Sequence, residues 1–358
     1  MNKKSFFLVL GIAALAALSA YLVADRRALQ TTVAADAVLV PGLSERLNDV
    51  SQVVITGAGG EVKVTLDRGE SAWTVAQRDG YVAQPAKIRS FLIELADARL
   101  VERKTAREEN YPALGVQDIA SESATGVEIA VAGVGDDARF IIGKSTRGGN
   151  AVYVRRSDEE TAWVADKRLR VERKPVDWLV KDLIDVNAAR VQRVTITHPD
   201  GEVVDAVRGE ANFEVADLPD GKTLSSPTAA NALAGVLDDL KFEDVLAKER
   251  FDAGDAQPVM VRFETSDGLV IDASATAANN KYYLALSTTA RAVDAAALGS
   301  ADAAAEGGVS PEQKVATMLE AISNQSAQIN ARVDGWVFTI PLFKYEQLAR
   351  TKADLIGE

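Results

Sequence analysis

The sequence predicts an α+β protein made of two tandem related units, each an antiparallel β-meander sheet packed with helices, after an N-terminal transmembrane helix. Three observations predict it. A set of short residue runs recurs at a nearly constant offset. Within each copy the apolar residues alternate with period two and then change to helical spacing. Near the amino terminus one stretch stays uncharged over the length of a membrane span.

Asn2–Ser5 is polar and holds Lys3 and Lys4. Phe6 to Val23 then runs uncharged for 18 residues, at the short end of what spans a hydrocarbon core of roughly 30 Å. Tyr21 stands near its far edge, where aromatic rings favour the interface. A cleaved signal peptide is the competing reading, with Ala17-Leu18-Ser19 and Ala35-Asp36-Ala37 as small-x-small sites. Signal peptides normally carry an apolar region of about 7–15 residues, so the length favours an uncleaved anchor over residues 1–24. Both readings export the body. The amino terminus with Lys3 and Lys4 outweighs Asp25-Arg26-Arg27, which keeps the N-terminus inside. Residues from Ala28 to about Leu47 lack clear periodicity and carry a Pro41-Gly42 turn signal, and 25–47 is expected to be a tether.

The first unit is expected over 48–185 and the second over 186–358. Val53-Val54-Ile55-Thr56 recurs as Val194-Thr195-Ile196-Thr197, and Gly60-Glu61-Val62 as Gly201-Glu202-Val203, 141 residues on. Arg68-Gly69-Glu70 recurs as Arg208-Gly209-Glu210, Trp73-Thr74-Val75 as Phe213-Glu214-Val215, and Tyr111 as Phe251, all at 140. Chance matches do not hold one offset over such a stretch. Val53, Ile55, Val62, Val64, Leu66, Trp73 and Val75 alternate between Gly-rich turns, the pattern of a meander with one apolar face. Pro85 then leads Ile88, Phe91, Leu92 and Leu95 at helical spacing, and Pro227 leads Leu233, Val236, Leu237 and Leu240. Trp73 with Phe213, and Tyr111 with Phe251, are expected at equivalent buried positions.

The first copy continues with strands at Val127–Val131, Phe140–Ile142, Ala151–Val154 and Ala162–Val164, then a short helix carrying Trp178, Leu179, Leu183 and Ile184. The second continues at Val259–Phe263, Leu269–Ile271, Tyr282–Leu286 and Trp336–Ile340, then a helix with Tyr345, Leu348 and Leu355. An insertion at about 288–335 interrupts it with an Ala/Gly-rich part, expected to be mobile, and an extra helix. Ser310-Pro311-Glu312-Gln313 reads as its capping box, and Val315, Met318, Leu319 and Ile322 as an apolar stripe facing its own unit.

Several of these runs carry a family resemblance. Arg68-Gly69-Glu70 to Trp73, Asp79-Gly80-Tyr81, the helix to Leu100, and Tyr111 with Leu114-Gly115 resemble the DUF4340 domain family. So do Ile142-Gly143-Lys144, Tyr153-Val154-Arg155 and Asp177-Trp178-Leu179 through Asp182-Leu183, and the N-terminal anchor. The resemblance runs from about Val50 onward, with the second copy more divergent, and its motifs are structural rather than catalytic. It implies a bacterial protein with no established activity, often encoded beside ABC-transporter permease parts resembling gliding-motility components. The expected partners are then the inner (cytoplasmic) membrane, through residues 6–23, and ABC-transporter permease or gliding-type auxiliary subunits. The expected place is single-pass in that membrane, with the bulk in the periplasm.

Composition removes several chemistries. There is no cysteine, hence no disulfide, thiol nucleophile or zinc–thiolate site. A single histidine, His198, leaves almost no material for multi-histidine metal sites. The formal net charge is −12; the first 27 residues are +3, leaving −15 for a body that phosphate backbones repel, so no nucleic-acid partner is expected. Gly143-Lys144-Ser145-Thr146 imitates the end of a phosphate loop, but Ala138 stands where a glycine is required. No helix is expected after it to supply an amide cradle. Gly57-Ala58-Gly59-Gly60 precedes strand residues and reads as a turn, as does the Pro199-Asp200-Gly201 stretch beside His198. Asn324-Gln325-Ser326 matches a glycosylation triplet of a kind that is common by chance. Glu108-Glu109, Asp136-Asp137, Asp158-Glu159-Glu160 and Asp238-Asp239 are acidic runs in an acid-rich chain, and Glu70 and Glu210 read as solvated hairpin tips. No catalytic, cofactor-binding or metal-ligating residue is assigned. The expectation is a non-enzymatic membrane-anchored extracytoplasmic accessory or scaffold protein associated with an ABC-type transport complex, without cofactor. Its alternatives are a cell-envelope glycan or ligand-binding module using Trp73, Tyr81, Tyr153 and Trp163, and a carboxylate-dependent hydrolase.

Overall fold

The computed structural model describes residues 37–134, 138–293 and 311–357. The expected anchor over 1–24, most of the tether, the Ala/Gly-rich part of the insertion, Ser310 and Asp136-Asp137 lie outside these residues. Among the described residues no helix is long and apolar enough to cross a membrane. The protein is α+β, with mostly antiparallel sheets and a few helices, and the chain divides into two compact units between Val180 and Lys181.

The first unit comprises β1 (Gln52–Thr56), β2 (Val62–Arg68), β3 (Trp73–Val75), β4 (Tyr81–Val82), helix α1 (Pro85–Asp97) and β5 (Leu100–Thr105). Helix α2 (Tyr111–Leu114), β6 (Val127–Ala132), β7 (Ala138–Ser145), β8 (Val152–Arg156) and β9 (Ala162–Ala165) follow. They form one nine-stranded sheet in the order β4-β3-β2-β1-β6-β7-β8-β9-β5. Ile55 faces Val64 on one side and Ile129 on the other, all buried, so the period-two alternation builds a continuous apolar face. Helix α1 opens on Pro85 and buries Ile88, Phe91, Leu92 and Leu95. Phe91 meets Trp178 edge to face at 5.5 Å, and Trp178 Nε1 donates to the Glu172 carbonyl at 3.0 Å.

The second unit holds β10 (Asp182–Ile184), β11 (Val191–Thr197), β12 (Val203–Arg208), β13 (Phe213–Val215), helix α3 (Asn231–Ala234), β14 (Leu240–Lys241) and β15 (Asp244–Ala247). After these come β16 (Val259–Thr265), β17 (Leu269–Ala278), β18 (Lys281–Ala290), helix α4 (Pro311–Val333), β19 (Trp336–Thr339), α5 (Leu342–Leu348) and α6 (Lys352–Leu355). Its main sheet runs β13-β12-β11-β16-β17-β18-β19-β15, the order of the first unit strand for strand, but with no counterpart of β4. The inserted helix α4 falls between β18 and β19, where the first unit has a short link between β8 and β9.

Some elements differ from expectation. The described end of the 25–47 tether is folded: Leu39, Val40 and Leu43 are buried, and Val38 bridges Arg99. The stretch expected to be a helix from Trp178 to Ile184 is a 3-10 turn, Pro175–Trp178, followed by β10, which pairs with β14. That pairing draws the chain into the second unit from Lys181, ahead of the expected start at 186. The helix after Pro227 is only α3 and a 3-10 turn over Gly235–Leu237. Helix α4 packs on its own unit, but of the expected stripe only Ile322 is fully buried; Ile329 and Val333 complete the seam. Between them lie polar contacts: Ser326 Oγ and Thr288 Oγ1 are 2.9 Å apart, and Asn330 Nδ2 donates to the Thr288 carbonyl at 2.8 Å. Phe213 is buried, whereas Trp73, at the same register, is half-buried beside an open groove near α1. Tyr111 is buried and Phe251 half-buried against Tyr283, because the segment between β15 and β16 is shorter than its counterpart.

Candidate functional site

The residues that imitate a phosphate loop gather, in the first unit, with the Tyr111, Leu114-Gly115 and Tyr153-Val154-Arg155 runs. Ile141 and Ile142 are neighbours on β7, so their side chains leave on opposite faces, and both are buried. The sheet is therefore covered on both sides here. On one side Ile141, Tyr111, Val116 and Ala162 form a small core against which Leu114 and Tyr153 pack. Three glycines make the approach close. Gly115 ends α2 with φ 74°. A Cβ on Gly143 would lie 2.4 Å from the Leu114 carbonyl oxygen, and one on Gly126 would lie 2.3 Å from that of Gly115.

The cations of this cluster serve the main chain. Lys144 Nζ donates to the carbonyls of Pro112 (2.9 Å) and Ala113 (3.3 Å) in α2. The buried Arg155 donates Nε to the Val116 carbonyl at 3.0 Å and Nη1 to the Glu159 carbonyl at 3.1 Å. Its guanidinium carbon lies 4.9 Å from the centroid of the Tyr111 ring. The Tyr111 hydroxyl donates to the Glu160 carbonyl, and burial pushes its pKa up. Lys144 is thus turned to a helix end, and Gly143 gives passage to a neighbouring backbone rather than to a phosphate.

In the second unit His198 Nε2 lies 3.0 Å from the Arg350 carbonyl oxygen, and Glu202 Oε1 accepts from the Lys352 amide at 2.6 Å. The turn that carries the single histidine therefore holds the start of α6. Thr351 and Asp354 cap that helix reciprocally, which lowers the pKa of Asp354.

Members of two acidic runs are engaged as well. Glu159 pairs with Arg156 at 2.7 Å. Asp238 Oδ1 accepts from the Ala188 amide at 2.9 Å, and Asp239 pairs with Lys241 at 2.8 Å. A cleft of about 430 Å³ in the second unit is lined by Asp182, Asp185, Asp239 and Arg332, among others; Lys241 also reaches Asp182 at 3.6 Å. A larger groove of about 720 Å³ in the first unit contains Leu39, Phe140 and Arg156. Arg156 donates there to the Leu39 and Val38 carbonyls at 3.0 and 2.6 Å. Among the described residues no group of three or more His, Cys, Asp or Glu could hold a metal ion.

The four aromatics weighed as a stacking platform do not share one. Tyr81 is buried, Tyr153 packs in the small core, and Trp163 faces Val154, whose side chain leaves β8 opposite to that of Tyr153. The Asn324 triplet lies in α4, with Ser326 buried. Sequence reasoning did not foresee the tie formed by Arg156; its signal was a double arginine closing an apolar strand.

A search of curated proteins and of solved structures returns no match. The family model described as a domain of unknown function, DUF4340, matches residues 73–281. That span opens at β3, takes in the glycine cluster and ends at the start of β18, so it draws on both units. With more than half of its length matched, the chain belongs to the DUF4340 family.

Proposed function

We propose that this chain is a non-enzymatic scaffold or accessory protein, held at the inner membrane by residues 6–23, with its two units on the periplasmic side beside an ABC-type transport complex. The observation that carries the reading is the use made of the polar residues that the sequence motifs single out. Lys144 and Arg155 donate to main-chain carbonyls, His198 lies against another, and Glu202 accepts from a main-chain amide. Such residues fix a shape, and a fixed shape is what a scaffold presents. The uncharged run from Phe6 to Val23 behind two lysines supports tethering. The transporter association rests on the family resemblance. Crosslinking in native membranes followed by affinity purification tests it. Permease or gliding-type auxiliary subunits should be recovered, and recovery should fall when residues 6–23 are replaced by a cleaved signal sequence. Recovery of the chain without any transport subunit defeats the association.

A further inference from the structure

The two units differ at one sheet edge. In the first, β3 carries β4 on its outer side, with Thr74 facing Val82 and Val75 facing Tyr81. The Ala83 amide donates to the Trp73 carbonyl at 2.8 Å, and the Gly80 amide to the Val75 carbonyl at 3.1 Å. In the second unit β13, the counterpart of β3, ends the sheet. The Gly209 amide donates to the Asn212 carbonyl and the Ala216 amide to the Asp205 carbonyl, both at 2.9 Å. Antiparallel pairs alternate, so the main-chain groups of Phe213 and Val215 point away from β12. One of them, the Phe213 amide, donates to Asn231 Oδ1 at 2.9 Å. The Phe213 and Val215 carbonyls are the counterparts of those that hold β4, and among the described residues no strand pairs with that edge.

The chain that corresponds to β4 is present but stands off. Ala83 bridges Leu179 in the first unit, and Leu224 bridges Ile356 in the second. Two more residues separate Val215 from Pro227 than separate Val75 from Pro85, and Pro219 lies among them. Between β13 and this segment lies a groove of about 540 Å³ lined by Val215, Leu218, Leu224 and Pro227, with the exposed Glu210 and Glu214 beside it.

We propose that the outer edge of β13 is a peptide-binding site that takes an extended segment of a partner protein. The segment adds a strand where the first unit has β4, places an apolar side chain in the groove, and carries basic residues toward Glu210 and Glu214. The first unit supplies the bound geometry, and the two carboxylates supply the charge preference. The inference gives the scaffold reading a partner chemistry, but it is measured on the purified full-length chain, so its failure leaves membrane association untouched.

The probe is a labelled synthetic peptide with the Gly80–Gln84 sequence between pairs of lysines; a glutamate-flanked version is the control. Saturable binding is expected in fluorescence anisotropy, with the Val215 amide exchanging fast in the free chain and slowly in the complex. Val215→Pro removes one outward donor at an edge position that tolerates proline, and should weaken binding roughly tenfold. The double variant Glu210→Lys, Glu214→Lys alters only exposed side chains and should weaken the lysine-flanked peptide while favouring the control. The proposal is overturned by any of four results: no binding at millimolar peptide, binding indifferent to both variants, a Val215 amide already protected in the free chain, or a dimer in sedimentation that Val215→Pro dissolves, which would assign the edge to a second copy.

Discussion

Arg208 repeats in the second unit the contact that Arg68 makes in the first. Arg68 Nη1 donates to the carbonyls of Asn48 and Val50, ahead of β1; Arg208 donates to those of Ala188 and Val191, at the start of β11. Each guanidinium ties the end of the second strand to the chain entering the first. The recurrence of Arg-Gly-Glu therefore belongs to its arginine. Charge-assisted hydrogen bonds contribute about 1.5–3 kcal/mol, so Arg208→Ala should lower the unfolding free energy by roughly that amount in urea titrations. Arg208→Lys should restore little of it, because an ammonium lacks the planar fork. Full recovery by lysine would show that charge alone matters.

Gly143→Ala should destabilise the first unit by about 1–3 kcal/mol, the usual cost of overpacking, because its Cβ would meet the Leu114 carbonyl oxygen at 2.4 Å. Calorimetry with ATP and magnesium should be flat for the unaltered chain. A heat signal that Lys144→Ala abolishes would reinstate the phosphate-loop reading.

Trp178→Ala and Phe213→Ala each remove a buried aromatic, at 1% and 2% exposure, and each should cost about 3–5 kcal/mol. Trp73→Ala should cost less, since Trp73 is only half-buried. Hydrogen exchange should place the loss in the first unit for Trp178→Ala and in the second for Phe213→Ala. Equal loosening of both units by either change would contradict separate cores.

Hydrogen bonds from the Thr351 amide and hydroxyl hold the Asp354 carboxyl below its ordinary range, about 3.9 in the unfolded chain. The folded state then takes up this proton less readily than the unfolded one. Its stabilising effect is complete above about pH 4 and is lost as pH falls through the lowered value. Thr351→Ala should return the Asp354 titration, followed by carboxylate NMR, toward the ordinary value and reduce the acid sensitivity of α6. An unchanged titration would remove the hydroxyl as a cause and leave the Thr351 amide, which the variant keeps, to hold the carboxyl low.

Much of the fold was legible because alternation is a strong signal. Val53, Ile55, Val64 and Leu66 announced one covered face, and the offset announced the second copy. Three consecutive apolar residues, Phe140-Ile141-Ile142, also announced a strand, but not that both its faces are covered, since the covering segment lies far off in sequence. Leu179, Leu183 and Ile184 satisfy helical spacing as well as they satisfy a short strand, and only the pairing of β10 with β14 decides between them. The roles of Lys144, Arg155 and Arg156 depend on carbonyls distant in sequence, which no local pattern reveals. The open edge of β13 is a property of the strand order, which no local pattern in the sequence encodes.

Two neighbouring stretches with one strand order also carry a kinetic hazard. A strand released early from either copy meets two sets of neighbours with matching alternation, and such exchange is a characteristic misfolding route of repeat proteins. Divergence between the copies works against it. The Gly115–Gly126–Gly143 approach accepts only a strand with no side chain at the crossing point, and the second copy's β17 places alanines, threonine and serine along its run instead. The differences that make the second copy hard to recognise are the ones that let each half of the chain find its own partners.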